Sequence, residues 1–187
     1  MAVSNTLQEF LGGAKVKYIA VKHPIAYTAQ ELAAAQHVPG RQVAKSVLVK
    51  AGKGYALAVL PAIQLIDFKK LKSLVGGRVS IAKESDIKAQ FPDVEVGAMS
   101  PFGNLYGVPV IVDNGLGASE EIVFNAGSHT ETIKMRYKDF AALVKPKTGA
   151  FGLPIAGPKK KAAKKSAKRA TAKKKAPARR KSAKKRR

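Results

Sequence analysis

Three short stretches of this chain carry residue types that could do chemistry. The first is Arg41-Gln42-Val43-Ala44-Lys45-Ser46, which runs from a loop into an apolar strand. Lys45 sits where loop becomes strand. A lysine there is either an edge charge that snorkels into water or a cation aimed into a pocket, and spacing alone favours the edge charge. The second is Gly97-Ala98-Met99-Ser100-Pro101-Phe102-Gly103. Two glycines and a proline permit a tight loop whose backbone N–H groups could face a carbonyl oxygen or a phosphate, as an oxyanion hole requires; a plain connecting loop has the same composition and is the better reading without context. The third is Asn125-Ala126-Gly127-Ser128-His129, a strand end, a glycine and a histidine. A lone histidine in such a place is more often a structural hydrogen-bond partner than a catalyst.

Other chemistries lose support. The chain has no cysteine, which excludes disulfides, thiolate ligands and a cysteine nucleophile. No GxxxxGK[ST] or GxSxG occurs, and Gly115-Leu116-Gly117-Ala118-Ser119-Glu120 lacks the third glycine of a dinucleotide loop. His23, His37 and His129 lie far apart without HExxH-type spacing, so neither a metal nor a cofactor is predicted.

The elements that must position these stretches are short and well punctuated. Ser4 or Asn5 caps a helix through Leu7, Phe10 and Leu11 that stops at Gly12-Gly13, and residues 16–21 read as a strand. Thr28-Ala29-Gln30-Glu31 is a capping-box sequence opening an Ala-rich helix to His37. Two apolar runs flank Gly52-Lys53-Gly54 as a hairpin, Asp67 caps a helix carrying Phe68, Leu71, Leu74 and Val75, and residues 78–82 and 84–91 give a strand and a small helix. Strands at 108–113, 121–125 and 129–135 follow, with a turn at Asn114-Gly115, before a closing helix through Tyr137, Phe140 and Leu143. Short strands joined by brief connections predict an α+β fold with a mixed, mostly antiparallel sheet.

Charge divides the chain. Residues 159–187 hold 17 of the 35 Lys and Arg and no acid, which leaves 18 basic residues against 12 acidic ones, a net +6, in residues 1–158. The basic positions are Lys159, Lys160, Lys161, Lys164, Lys165, Lys168, Arg169, Lys173, Lys174, Lys175, Arg179, Arg180, Lys181, Lys184, Lys185, Arg186 and Arg187. With only Ala, Ser, Thr and one Pro between them, nothing offsets the entropy of ordering, so the segment is predicted to be a disordered tail. A flexible polycation binds phosphate backbones by counterion release, which names nucleic acid as partner; no apolar face accompanies the charges, which argues against a membrane. The predicted organisation is a domain at 1–145, a Pro/Gly linker at 146–158 and the tail at 159–187. The first residues lack a signal-peptide pattern and no apolar run reaches transmembrane length, so the expectation is a soluble, cytoplasmic protein.

The order of the punctuated segments carries a resemblance. Lys45 opening a strand, the GxxxP loop from Gly97 to Pro101 followed by Phe102-Gly103, the Val-Pro-Val-Ile-Val-Asp strand, Gly127-x-His129 before a closing helix, and His23-Pro24 ahead of Thr28 resemble the YbaK / prolyl-tRNA-synthetase-associated editing domain family. The resemblance spans roughly residues 5–145. It implies a barrel-like sheet with surrounding helices, no metal, and a free-standing hydrolase that cleaves the ester joining a wrong amino acid to the tRNA 3′ end. It also implies mischarged tRNA, and an aminoacyl-tRNA synthetase, as partners. By the same resemblance Lys45, Gly97, Pro101 and His129 are the catalytic candidates, and Thr28, Ser46, Ala98, Met99, Ser100, Phe102 and Gly127 shape the aminoacyl pocket.

An aminoacyl ester is already activated, so such a site needs mainly to place water, or the neighbouring ribose hydroxyl, and to stabilise an oxyanion. Lys45 would position the terminal nucleotide or favour the developing charge, and His129 would orient the substrate's amino group or water. Some alanine-specific relatives carry Asn after the key lysine where this chain has Ser46, so the acyl group stays open among Ala, Ser and Thr. The competing function is a histone-like, nucleoid DNA-binding protein whose AKKxA-rich tail, resembling linker-histone tails, is the working part.

Overall fold

The structure, a computed structural model, describes residues 4–155. The tail, with its predicted disorder and nucleic-acid contacts, lies outside the described residues. In chain order the elements are α1 (Asn5–Gly13), β1 (Tyr18–Lys22), α2 (Ala29–Ala35), β2 (Ala44–Ala51), β3 (Gly54–Pro61), β4 (Gln64–Ile66) and α3 (Phe68–Val75). There follow β5 (Val79–Ile81), α4 (Glu84–Gln90), a 3-10 turn (Gly103–Tyr106), β6 (Val110–Asp113), α5 (Asn114–Gly117), β7 (Glu121–Asn125), β8 (Glu131–Arg136), α6 (Tyr137–Val144), β9 (Lys147–Gly149) and β10 (Gly152–Pro154).

The local signals act as their chemistry dictates. Ser4 Oγ accepts from Leu7 N at the start of α1, and Asp67 Oδ1 accepts from Lys69 N and Lys70 N at the start of α3. Both bonds of the Thr28 capping box form: Thr28 Oγ1 accepts from Glu31 N at 3.1 Å, and Glu31 Oε2 accepts from Thr28 N at 3.1 Å and from Tyr27 N at 2.9 Å. Those N–H groups hold the Glu31 carboxyl below its ordinary value.

The predicted hairpin is the centre of a five-stranded sheet ordered β5-β2-β3-β6-β9. Its strands alternate faces. Ala44, Leu48, Leu57, Val59 and Val112 pack into one core with Phe102, Phe124 and Phe140, whereas Val49, Ala58, Leu60 and Ile111 pack into a second with Leu71 and Phe151. A three-stranded antiparallel sheet, β1-β8-β7, contributes Ile122, Phe124, Ile133 and Met135 to the first core. The fold is α+β and mostly antiparallel; β3–β6 and β6–β9 are its parallel pairs.

Three expectations are corrected. The sheet does not close into a barrel: among the described residues the two larger sheets share a core but their backbones pair only at the parallel bridge Val43–Val123, with Val123 N donating to Gln42 O at 2.9 Å. The segment expected as a Pro/Gly linker forms structure up to Ile155: β9 adds to β6, and β10 pairs antiparallel with β4, a three-residue strand that its short pattern does not announce. Short edge pairing tolerates Pro154 because an edge residue need not donate on both sides, and Phe151, fully buried, anchors the segment. Asn114-Gly115 begins one helical turn rather than a bare turn, since the Asp113 carboxylate caps it through Gly115 N at 2.8 Å.

Candidate active site

A cavity of about 330 Å³ opens where the two sheets part. Past the Val43–Val123 bridge both strands run in the same direction, so Lys45 and Ser46 on β2 and Asn125 at the end of β7 all come to line it. The loop residues Gly97 and Met99 line it too, and Tyr27, Thr28, Gln30 and Leu32 enter from α2 and its approach. The capping box fixes α2 there, while Leu32 packs with Ala26, Val43 and Ala62 in a third small core and Gln30 Nε2 donates to Ala62 O at 3.0 Å.

Lys45 is a cation aimed inward. Its Nζ donates to the Gln64 carbonyl at 2.7 Å, and half-burial pushes its pKa below the ordinary lysine value by desolvation of the charged form. One of three ammonium protons is thus committed, and two remain for a substrate oxygen. Beside it, Ser46 Oγ and Asn125 Oδ1 are buried without a hydrogen-bond partner among the described residues. Buried polar atoms of this kind cost about 1–3 kcal/mol each when left unpaired, a cost that a polar ligand or water in the cavity would offset.

The 97–101 loop supplies donors unevenly. Ala98 N is spent on the Glu95 carbonyl at 2.9 Å, and Pro101 has no N–H; Gly97, Met99 and Ser100 N–H donate to no acceptor among the described residues. Gly97 adopts φ +91, a conformation that L side chains rarely enter.

His129 stands behind this loop instead of in the cavity wall. Its ring nitrogens lie 3.1 Å from the Ala26 carbonyl (Nδ1) and 3.0 Å from the Val96 carbonyl (Nε2), its N–H donates to Glu95 Oε2 at 2.9 Å, and its carbonyl accepts from Ala26 N at 3.0 Å. A neutral imidazole can donate to only one of those two carbonyls at a time, and the imidazolium to both. The ring stitches the approach to α2 onto the 95–97 loop, with Tyr27 packed on it at a centroid distance of 4.9 Å.

Of the residues singled out in the sequence, Thr28, Lys45, Ser46, Gly97 and Met99 therefore meet at the cavity. The others do not line it. Ala98, Ser100 and Pro101 are buried beneath the loop, and Phe102 is a core ring within 6 Å of Phe10, Phe124 and Phe140. Gly127, at φ +107, faces Ser4 at the cap of α1, where an added Cβ would lie 2.8 Å from Ser4 Cβ. Thr28 reaches the cavity, but its hydroxyl is occupied by the helix cap. Asn125 and Tyr27 were not among the predicted site residues. Asn125 had a signal, a polar residue ending the apolar run Ile122-Val123-Phe124, whereas an exposed tyrosine before a helix has none.

The family model for the aminoacyl-tRNA editing domain matches residues 23–143, which hold every wall of this cavity. The chain belongs to the aminoacyl-tRNA editing domain family. It is an enzyme of the aminoacyl-tRNA deacylase class, a hydrolase of ester bonds. Among curated proteins it is similar to the prolyl-tRNA editing protein ProX of Acetoanaerobium sticklandii, 26% identical over 144 residues that cover 73% of this chain and 87% of that protein. It is also similar to a proline–tRNA ligase of Fervidobacterium nodosum, 32% identical over 92 residues, 49% of this chain but 16% of the ligase. The fold of this editing domain is shared with the crystal structure of a candidate trans-editing enzyme for prolyl tRNA synthetase, at a TM-score of 0.73 and 22% identity over 82% of this chain and 98% of that one. Among the described residues no helix is long and apolar enough to cross a membrane.

Proposed function

We propose that this editing domain acts on tRNA for proline that carries a wrong, small amino acid, and that the cavity beneath α2 receives the aminoacylated 3′ end. One observation carries the reading: a desolvated lysine, two unpartnered polar atoms and the loop residues Gly97 and Met99, whose N–H groups have no acceptor among the described residues, line one cavity of about 330 Å³. The volume suits a small amino acid and part of a ribose. The relative named as a prolyl-tRNA editing protein and the likeness to proline–tRNA ligases support the choice of tRNA, and a prolyl-tRNA synthetase is the corresponding partner.

In the reaction, water adds to the ester carbonyl, the carbonyl oxygen gains negative charge, and the ribose oxygen leaves with a proton as the amino acid departs. The N–H groups of Gly97 and Met99 and the free Lys45 protons are donors suited to that oxygen or to the terminal phosphate. Ser46 Oγ and Asn125 Oδ1 accept from the substrate's ammonium or a side-chain hydroxyl. His129 is a positioning residue that keeps the loop and α2 in register. The tail at 159–187 is a tether that adds salt-sensitive affinity for the tRNA backbone.

The test is a panel of mischarged tRNAs with wild type, Lys45→Ala and a chain lacking residues 159–187. Lys45→Ala should lose deacylation while keeping its fold, and the truncated chain should keep kcat while KM rises and loses its salt dependence. For about six to ten phosphate contacts, affinity on duplex should fall ~10³- to 10⁵-fold between 50 and 200 mM salt. Full activity in Lys45→Ala would sink the assigned role. DNA compaction by the tail with no tRNA ever hydrolysed would favour the histone-like alternative.

A further inference from the structure

The family match ends at residue 143, yet the described residues continue through β9 and β10 to Ile155 and return to the strand that holds the site lysine. Lys45 Nζ is held by the carbonyl of Gln64, which belongs to β4. In this structure β4 has one pairing partner, β10, with Gly152 opposite Ile66, Leu153 opposite Leu65 and Pro154 opposite Gln64. Antiparallel neighbours alternate between pairs that exchange hydrogen bonds and pairs that do not. Ile155 N donates to Ile63 O at 3.0 Å, so 155/63 and 153/65 are exchanging pairs and 154/64 is not. Pro154, which lacks an N–H, falls where none is needed. The alternation therefore turns the Gln64 carbonyl away from β10, toward the side on which Lys45 takes it.

β10 is itself nailed down. Asp113, buried at the end of β6, accepts from Phe151 N and Gly152 N through Oδ2, each at 2.7 Å, while Phe151 fills the second core. Gly152 leaves room for Gln64: a Cβ there would run into Gln64 Oε1 and lie 2.6 Å from its Cδ, so a side chain at 152 would push the flexible Gln64 amide off β10.

We propose that residues 150–155 are a positioning element of the active site, a clamp in which Asp113 seats β10, β10 seats β4, and β4 holds the Lys45 ammonium at the cavity. The catalytic consequence rests on the role given to Lys45 under the proposed function. In sequence, residues 150–155 are followed after Ala156-Gly157-Pro158 by the basic tail, and clamp and tether are separable in effect: the clamp governs turnover and the tether governs affinity.

The experiment uses the full chain with Leu153→Pro, which removes the N–H that the alternation assigns to Leu65 O, and Gly152→Ala as a second, milder variant. Ribbon opening is read by hydrogen exchange at Ile155 N–H, Lys45 mobility by 15Nζ relaxation on lysine-labelled protein, and turnover on a mischarged tRNA. The clamp predicts lost protection at Ile155, a mobile Lys45 Nζ, kcat at least tenfold lower and KM within twofold. A Lys45 that stays rigid once protection is lost overturns the clamp, as does unchanged kcat with a mobile Lys45. If Leu153→Pro fails to fold, Gly152→Ala decides by the same three readouts. If wild type hydrolyses no mischarged tRNA, the proposed function fails, and the relaxation arm still decides whether β10 holds Lys45.

Discussion

Two glycines with positive φ give a paired test of where the chemistry lies. Gly97 (φ +91) lines the cavity, whereas Gly127 (φ +107) sits against the cap of α1. Replacing either with alanine forces a β-carbon into a backbone region that costs about 1–3 kcal/mol. At Gly97 the new Cβ would lie 3.3 Å from His129 Cε1, and that ring has little room to yield because both its nitrogens face carbonyls, so the 97–101 loop must move instead. If the loop relieves the whole strain by leaving its present geometry, the fraction of molecules with N–H donors in place falls about 5- to 160-fold. At Gly127 the contact is tighter, 2.8 Å to Ser4 Cβ, but the element displaced is α1. For a domain of this size each kcal/mol shifts the melting temperature by about 2–4 °C. Both variants should therefore melt lower, Gly127→Ala by at least as much, while deacylation kcat falls about 5- to 160-fold in Gly97→Ala and stays near wild type in Gly127→Ala. Differential scanning fluorimetry and single-turnover deacylation would measure the two quantities. Equal losses of activity, or a destabilised Gly97→Ala with unchanged kcat, would refute the assignment of the loop as oxyanion donor.

Three further outcomes follow from the geometry. The role proposed for Lys45 requires the cation, and its pKa lies below the ordinary lysine value, so enzyme-dependent deacylation, after subtraction of spontaneous ester hydrolysis, should decline at a pH below the usual lysine range, and Lys45→Arg should remove that decline. Asn125→Ala and Ser46→Ala each remove an unpartnered acceptor, so stability should hold or rise slightly while kcat/KM falls about 10-fold or more, as expected for a hydrogen bond made to substrate alone. Asp86 is held at about 2, against an ordinary 3.8, first by the Lys50 amine at 2.9 Å, then by Lys83 N and Tyr55 Oη. Its contribution is present above the ordinary value and is lost as pH falls through about 2, so Asp86→Asn should flatten the acid limb of the stability profile, measured by denaturant unfolding at several pH values.

What could be read from residues and what could not divides along the range of the interaction. Thr28-x-x-Glu31, Asp67, Gly52-Lys53-Gly54 and the apolar alternation of residues 44–61 act within a few residues, and each produced the element its chemistry predicts. Lys45 could not be settled in that way. Whether a lysine at a strand entrance snorkels or points inward depends on what lies across from it, and what lies across is a carbonyl 19 residues on, in a strand too short to show a period. His129 shows the converse: its residue type read as a structural partner and the resemblance made it a catalytic candidate, and its ring nitrogens face the carbonyls of Ala26 and Val96, in segments more than 30 residues away in sequence. The closing segment is the sharpest case. Pro and Gly at 146–155 read as breakers because those residues weaken strands, yet Pro154 occupies a non-exchanging position, and Gly152 is the residue that lets Gln64 approach. A composition that argues against a central strand suits an edge ribbon that pairs with β4, the strand whose Gln64 carbonyl takes Lys45 Nζ.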